Sequence, residues 1–406
     1  MSYQALTDTQ AVLALWYVTN TSLVSYYKLV AQFGDAKSAL LADIASWQQL
    51  AIHAAHQKRW QDSADVIAFV QKVFHEVALG SYAMSFVGDA NYPKALAELY
   101  DPPPVLFYRG NIDRLNDKQI AIVGSRNPTE HAQKITFDMA QYLVQAGFSI
   151  TSGLAQGIDR QAHMGALAQM VNLAGRTVGV MGTGIDVIYP RNHNALFAQI
   201  IQDGGCLISE LLPSTPASKH TFPRRNRLVA GLSMATIVTE AALQSGSLIT
   251  ARLAAEQGKQ VFAVPSRIDN ANAEGCHHLI REGATLVYHP DQIIEDLSNQ
   301  SGEFFNALPK SFSQGVSVYT DIETVQNLTT NQTISKNTQH SPAQTATMNT
   351  HIPEHLQAIY QLMTAPMDID ALVMASGQGV GELLAALMEL EILGLVQQAG
   401  GRYARV

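Results

Sequence analysis

Three regimes of hydrophobic patterning succeed one another along the 406 residues. Up to about residue 85, apolar residues recur at helical spacing, through Ala11, Val12, Leu15 and Trp16 and again through Val66, Phe69, Val70 and Phe74, which predicts a helical segment. Around residues 88–112 the periodicity lapses, and Pro102, Pro103 and Pro104 exclude a helix interior and predict an extended lead-in to the next domain. From about 118 to 290, short apolar runs alternate with helical stretches: Ile120–Val123, Phe148–Thr151, Thr177–Met181, Cys206–Ser209, Ala235–Thr239, Val261–Val264 and Ala284–Tyr288, with helices expected at 130–146, 157–170, 192–202 and 247–258. Buried runs separated by helices are the pattern of βαβ units and a parallel sheet covered on both faces, so this region predicts a doubly wound α/β domain of about seven strands.

The pattern then thins. About two-thirds of positions 326–350 are Ser, Thr, Asn or Gln, which predicts a flexible linker. After Pro353 helical periodicity returns at 354–363, 368–375 and 380–392, and LVQQAGGRYARV adds two short strand-like runs around Ala399–Gly401. Three helices followed by a small hairpin predict a winged helix. The expected division is therefore 1–85 helical, 86–299 α/β, 300–351 linker and 352–406 winged helix.

Composition narrows the class. With 47% hydrophobic and 15% charged residues the chain is globular, and two cysteines, Cys206 and Cys276, cannot form a disulfide framework or a four-cysteine zinc site. The opening MSYQALTDTQ lacks the basic and apolar regions of a secretory signal and no run of about 18 apolar residues occurs, so a cytoplasmic protein without membrane insertion is expected. The formal net charge of −8 argues against a nucleic-acid partner only if charge is evenly spread. It is not: residues 113–290 hold 15 Lys and Arg against 13 Asp and Glu, a net of +2, which leaves −10 for the rest. An anionic partner would be welcome at the α/β domain alone.

Within that domain, candidate anion-binding positions fall where strands give way to helices. IAIVGSRNPTE places Gly124, Ser125 and Arg126 at such a junction, with Asn127-Pro128 read as the helix cap and first helical residue. In SGLAQGIDRQAH, Gly153 and Gly157 bracket a tight turn, and Asp159 and His163 are spaced to pair on one helix face. GVMGTGID offers Gly182 and Gly184, but Val187 stands where the dinucleotide fingerprint needs its third glycine, and no P-loop motif exists, so a nicotinamide dehydrogenase and a P-loop ATPase are disfavoured. The segment KHTFPRRNR, read as a basic loop, sets Lys219, His220, Arg224, Arg225 and Arg227 around Phe222, the composition of a single-strand binder: cations for phosphates and an aromatic platform for a base. Ser245, Gly246 and Ser247 open a further helix with small polar residues. Glu240 ends a strand without a second carboxylate or a metal-ligand pattern beside it, which favours an acceptor role over catalysis, and Cys276-His277-His278 lacks the further ligands of a metal site.

Taken together, YPKAL, DPPPVLFYRG, VGSR, SGLAQGID, the GTGID–YP–N run, Ser209-Glu210, FPRRNR and SGSLITA closely resemble the DNA-processing protein A family (DprA, also called Smf) over roughly residues 85–290. The resemblance implies an extended Rossmann-like domain that binds single-stranded DNA and dimerises, an amino-terminal domain similar to a sterile-alpha-motif or helix-hairpin-helix fold, and an optional winged helix. It implies no cofactor and no established enzymatic activity. Such a protein serves natural transformation by protecting incoming strands and helping to load the RecA recombinase on them. Carried over residue by residue, the strand-binding pocket would comprise Gly124, Ser125, Arg126, Gly153, Gly157, Arg191, Lys219, Phe222, Arg225, Asn226, Arg227, Ser245 and Ser247.

The chain departs from the family pattern at His131-Ala132, at Pro265-Ser266, at His277 and in the amino-terminal hairpin, where Asn20-Thr21-Ser22 replaces a Gly-x-Gly. The expected recognition helix of the winged helix carries Glu382, Glu389 and Glu391 and no basic residue, so protein contact or dimer support is the expectation there. Two other readings stand beside the DNA binder: a nucleotide-processing enzyme of the phosphoribohydrolase type using Glu240, whose PGGxGT loop has no equivalent at 228–239, and an assembly adaptor without a DNA pocket.

Overall fold

The computed structural model describes residues 2–169, 173 and 176–301, then 354–363, 367–376 and positions 383, 386, 387, 390, 395–399 and 402–405. The chain forms two compact units, Met1–Gln326 and Asn327–Val406.

The first unit opens with six helices: α1 (Asp8–Val18), α2 (Leu23–Phe33), α3 (Ala36–Leu41), α4 (Ile44–Gln49), α5 (Ala54–Gln61) and α6 (Ser63–Ala78). Their starts follow local chemistry: Thr7 and Gln10 form a reciprocal capping box, and Ser22, Asp35, Asp43 and Asp62 each accept a bond from a first-turn N–H. The sheet then begins with β1 (Ala83–Phe86), and after α7 (Lys94–Ala97) comes β2 (Val105–Gly110).

The alternating region follows as β3 (Gln119–Val123), α8 (Glu130–Gln145), β4 (Ser149–Ser152), α9 (Ile158–Leu167), β5 (Thr177–Val180), α10 (Asn194–Gln202), β6 (Cys206–Ser209), α11 (Thr221–Leu232), β7 (Ala235–Val238), α12 (Ser247–Glu256), β8 (Gln260–Ala263), α13 (Glu274–Arg281), β9 (Thr285–Leu286) and α14 (Pro290–Ser301). The strands form one nine-stranded sheet in the order β1-β2-β6-β5-β4-β3-β7-β8-β9. Strands β3 to β9 pair in parallel, whereas β1–β2 and β2–β6 are antiparallel. The seven expected strands are all present. Of the two additional ones, β2 comes from the segment read as an extended lead-in and pairs with β6, so the proline-rich approach ends in the sheet, while β1 lies where the segment read as helical was expected to end.

Alternate residues of each strand feed opposite layers, as a two-residue period requires. Ile120, Ile122, Ile150, Ile237 and Phe262 pack under α8, α9 and α14, while Ala121, Val123, Val178, Val180, Ile208 and Val238 pack under α11, α12 and α13. The amino-terminal helices share a core with Val105, Phe107, Phe197 and Leu207, so they close the sheet on its β2–β6 side. From β3 the chain winds outward through β4, β5 and β6, then returns to the other side of β3 for β7, β8 and β9. The direction reverses between β3 and β7, which opens a crevice at the carboxyl ends of those strands.

Three local expectations are corrected. The cap of α8 is Thr129, which accepts from Ala132 N, and not Asn127, because the chain runs two residues further before it turns. Asp159 and His163 do not pair: Asp159 accepts from Ala155 N, and His163 Nδ1 lies 2.7 Å from Thr177 Oγ1. KHTFPRRNR is for the most part the first two turns of α11, not a loop; Pro223 is accommodated because a first-turn residue has no intrahelical N–H bond to lose.

In the second unit, α15 (Glu354–Leu362), β10 (Met367–Asp368), α16 (Ile369–Ser376), β11 (Val396–Ala399) and β12 (Arg402–Arg405) form helices and an antiparallel sheet of order β10-β12-β11. Leu356, Ile359, Leu372, Leu383, Leu387, Leu390, Val396 and Tyr403 make its core. The first expected helix stands as read, and the hairpin gains a third strand, β10. Apart from its first two residues, the expected linker lies outside the described residues, as do Glu382, Glu389 and Glu391. No helix among the described residues is long and apolar enough to cross a membrane.

Candidate nucleic-acid interface

The crevice is a cleft of about 780 Å³ walled by the loops after β3, β4 and β7 and by the first turns of α11. Its floor is tied together by backbone. Ser125 N donates to Glu240 O at 2.6 Å, and Ile158 N donates to Ser125 O at 3.0 Å. Gly157, at φ +80°, adopts a conformation that favours glycine, and a Cβ there would collide with Ser125 O and the Arg126 backbone. That contact explains the glycine: it brings the β4 loop against the β3 loop.

Glu240 is 2% exposed, and its carboxylate accepts from Thr129 N at 2.9 Å, Thr129 Oγ1 at 2.7 Å and Asn270 Nδ2 at 3.3 Å. It therefore sits at the amino terminus of α8, where the helix dipole favours an anion, and faces away from the cleft. Cys276 is likewise internal: its thiol points at Val238 O, and burial pushes it up to about 12, so it offers no ready thiolate.

Arg225 forms part of the cleft wall but is itself buried. Its guanidinium donates to Gly153 O and, at 2.6 Å, to Val180 O, while Nε donates to Asn226 Oδ1. Any side chain at Gly153 would strike that guanidinium. Burial lowers the Arg225 pKa and the neighbouring Asp159 opposes the shift; burial likewise raises the pKa of Asp159, with Arg225 as the leading opposing influence.

The open face is different in character. Arg126 and Lys219 are exposed at the rim, and neither has a carboxylate partner among the described residues. The Arg126 guanidinium carbon lies 5.7 Å from the centroid of the Phe222 ring, and Tyr189 approaches the same ring at 5.5 Å, tilted by 39°. A Cβ on Gly182 would run into Phe222, so that glycine seats the ring. Opposite, the Ser245 and Ser247 hydroxyls lie 2.7 Å apart at the start of α12, and Asn226 Nδ2 donates to Gly246 O. Uncompensated cations, an aromatic pair and a helix amino terminus thus converge on one open cleft, which suits phosphates beside unstacked bases.

Of the expected site residues, Gly124, Ser125, Arg126, Gly153, Lys219, Phe222, Arg225, Asn226, Ser245 and Ser247 line the cleft. Three do not. Gly157 acts from behind, Arg191 is exposed on a short 3-10 turn beside the cleft, and Arg227 is turned away to pair with Glu210 and Asp101. The residue missed from sequence is Tyr189, 48% exposed and lining the cleft. Its signal was an aromatic two positions before Arg191, but only the fold carries it to Phe222.

A Rossmann-like, doubly wound domain with a cationic cleft at its switch point, joined to a winged-helix unit, is the class these features define. The family model for DNA recombination-mediator protein A matches residues 83–298, and that for the DprA winged helix domain matches 341–402. The chain belongs to the DNA recombination-mediator protein A (DprA) family. It is 37% identical over 331 residues to Protein Smf of Synechocystis, spanning 78% of each chain, and 39% identical over 269 residues to DNA processing protein DprA of Streptococcus pneumoniae, spanning 66% of this chain and 91% of that one. The X-ray structure of the S. pneumoniae protein superposes with a TM-score of 0.60 at 32% identity, covering 73% of this chain and 98% of that one.

Proposed function

We propose that this protein binds single-stranded DNA in the cleft, without catalysing a reaction on it, with phosphates held at Gly124–Arg126, Lys219 and the Ser245–Ser247 turn and a base against Phe222. The observation that carries this reading is the pairing of carboxylate-free cations Arg126 and Lys219 with the Phe222–Tyr189 aromatic pair. An aromatic lining a cleft is reached by an unstacked base, not by a base inside a duplex. The Glu240 enzyme reading has little support, because that carboxylate is engaged with Thr129 and Asn270.

Family membership extends the proposal to natural transformation in the cytoplasm, with protection of the incoming strand and delivery of RecA recombinase to it. A homodimer through the Rossmann-like domain is part of the same reading; the edge strand β9, with Leu286 43% exposed and Tyr288 just beyond it 54% exposed, is an apolar edge such an interface would cover. The test is a gel-shift titration of single-stranded and duplex oligonucleotides over a salt series. Preferential, salt-dependent binding of the single strand that is lost in Arg126→Glu is expected; undiminished binding by that variant would remove the cleft from the proposal.

A further inference from the structure

Behind α11, on the side away from the cleft, lies a buried ionic hub. Glu210, directly after β6, is 2% exposed, and its two carboxylate oxygens are divided between two arginines of α11: Oε1 accepts from Arg224 Nε at 2.9 Å and Oε2 from an Arg227 terminal nitrogen. Arg227 reaches on to Asp101, donating to its carbonyl at 3.0 Å. Arg224 reaches the amino-terminal helices. Its Nη1 donates to Thr21 Oγ1 at 2.8 Å, and its guanidinium carbon lies 5.5 Å from the centroid of the Trp16 ring. Trp16 closes the circuit by donating from Nε1 to the Glu210 carbonyl at 3.0 Å.

The α1–α2 hairpin is shaped for this contact. Asn20 and Thr21 both hold positive φ, 49° and 60°, a conformation that costs non-glycine residues energy and persists only where the surroundings hold it. Arg59 supplies part of that hold from α5, donating to Tyr17 O and Asn20 Oδ1. Thr21 is 7% exposed, so its hydroxyl faces Arg224 and not solvent. In α11, Arg224 and Arg227 are three apart and share one side, whereas Phe222, Arg225 and Asn226 lie on the cleft side.

We propose that the amino-terminal helical segment is a brace for the DNA-contacting helix, and that Glu210, Arg224 and Arg227 are positioning residues that set where Phe222 and Asn226 stand, not phosphate ligands. The inference rests on the cleft being the strand-binding site. A shift of α11 large enough to part Arg224 from Thr21 would also move Phe222 off its seat on Gly182, so occupancy of the cleft and docking of the hairpin are coupled through one rigid helix.

The test uses the full chain and a fluorescent oligo-dT strand. Thr21→Val removes the acceptor while keeping the side-chain shape, and Thr21→Ser restores it. Thr21→Val and Arg224→Gln are expected to weaken binding about five-fold, the scale of a modest coupling between sites, with the salt slope unchanged and with recovery in Thr21→Ser. Arg126→Ala, by contrast, should reduce the slope of log K against log salt by about 0.7, one phosphate contact. Hydrogen exchange should also show amides 16–24 gaining protection when oligo-dT binds, an effect lost in Arg224→Gln. A reduced salt slope in Arg224→Gln would make Arg224 a phosphate ligand and overturn the brace; so would unchanged affinity in Thr21→Val, or hairpin amides indifferent to DNA in the parent protein. If instead Arg126→Ala and Phe222→Ala bind like the parent, the cleft reading itself fails, whatever the hairpin does.

Discussion

At the cleft, Arg126 and Lys219 stand beside the opening with no carboxylate partner among the described residues; on the reverse side of α11, Arg224 and Arg227 are neutralised by one buried glutamate and by Asp101. Lys219 stands only a few positions from Arg224 and Arg227, yet its charge is left open at the cleft whereas theirs is compensated internally. Arg225 stands between these cases, lining the cleft but with Nη1 committed to the carbonyls of Gly153 and Val180 and Nε to Asn226. Positive charge left open at the cleft is therefore a smaller and more selective quantity than the basic residues of KHTFPRRNR suggest.

The hub should dominate stability. Glu210→Ala leaves two largely buried guanidinium groups facing one another, with Asp101 beside Arg227 as the remaining counter-charge, and should cost about 3–5 kcal/mol in urea denaturation. A loss below about 1 kcal/mol, the range of surface pairs, would erase the distinction between the two sides of α11.

A second contrast is in titration. Burial pushes His163, packed between α9 and β5, down to about 3, with Arg225 and His193 adding to the shift. Its folded pKa lies below the unfolded value of 6.5, so the unfolded chain takes up the proton first. Stability is retained above that value and is lost as pH falls from about 6.5 towards 3, on the order of 3 kcal/mol by pH 4. In His163→Gln the decline between pH 6 and 4 should flatten; an unchanged profile would place the acid-sensitive group elsewhere.

Binding effects are expected to be smaller and confined to the open side. Phe222→Ala should cost about 1–3 kcal/mol of single-strand affinity if the ring stacks on a base, and Tyr189→Ala about 1 kcal/mol, both measured by fluorescence anisotropy. Arg227→Ala should leave the salt slope of binding unchanged, since its guanidinium is held by Glu210 and Asp101, even as it lowers the thermal midpoint. A slope that falls in Arg227→Ala would return that residue to the site.

Much of the architecture was legible because it is written in short windows. The seven parallel strands were visible as apolar runs bounded by helices, and the glycines at 124, 153 and 157 marked the strand ends from which the cleft is built. Strands β1 and β2 were not, because an antiparallel edge strand of four residues and a run emerging from three prolines carry little periodicity of their own. β2 finds its partner in β6, about a hundred residues further on, and β1 in turn pairs with β2.

Residue type and spacing alone determined the doubly wound class, the switch-point loops, the basic segment and the aromatic at 222. Which arginine stays free was decided only by the tertiary structure. The groups that hold Arg224 and Arg227 lie 14, 126 and 203 positions away, at the carboxylates Glu210 and Asp101 and the hydroxyl of Thr21. Periodicity and local sterics act over a few residues, whereas charge compensation depends on what folding brings within about 3–4 Å, where a buried charge needs a well-placed counter-charge to offset its lost solvation.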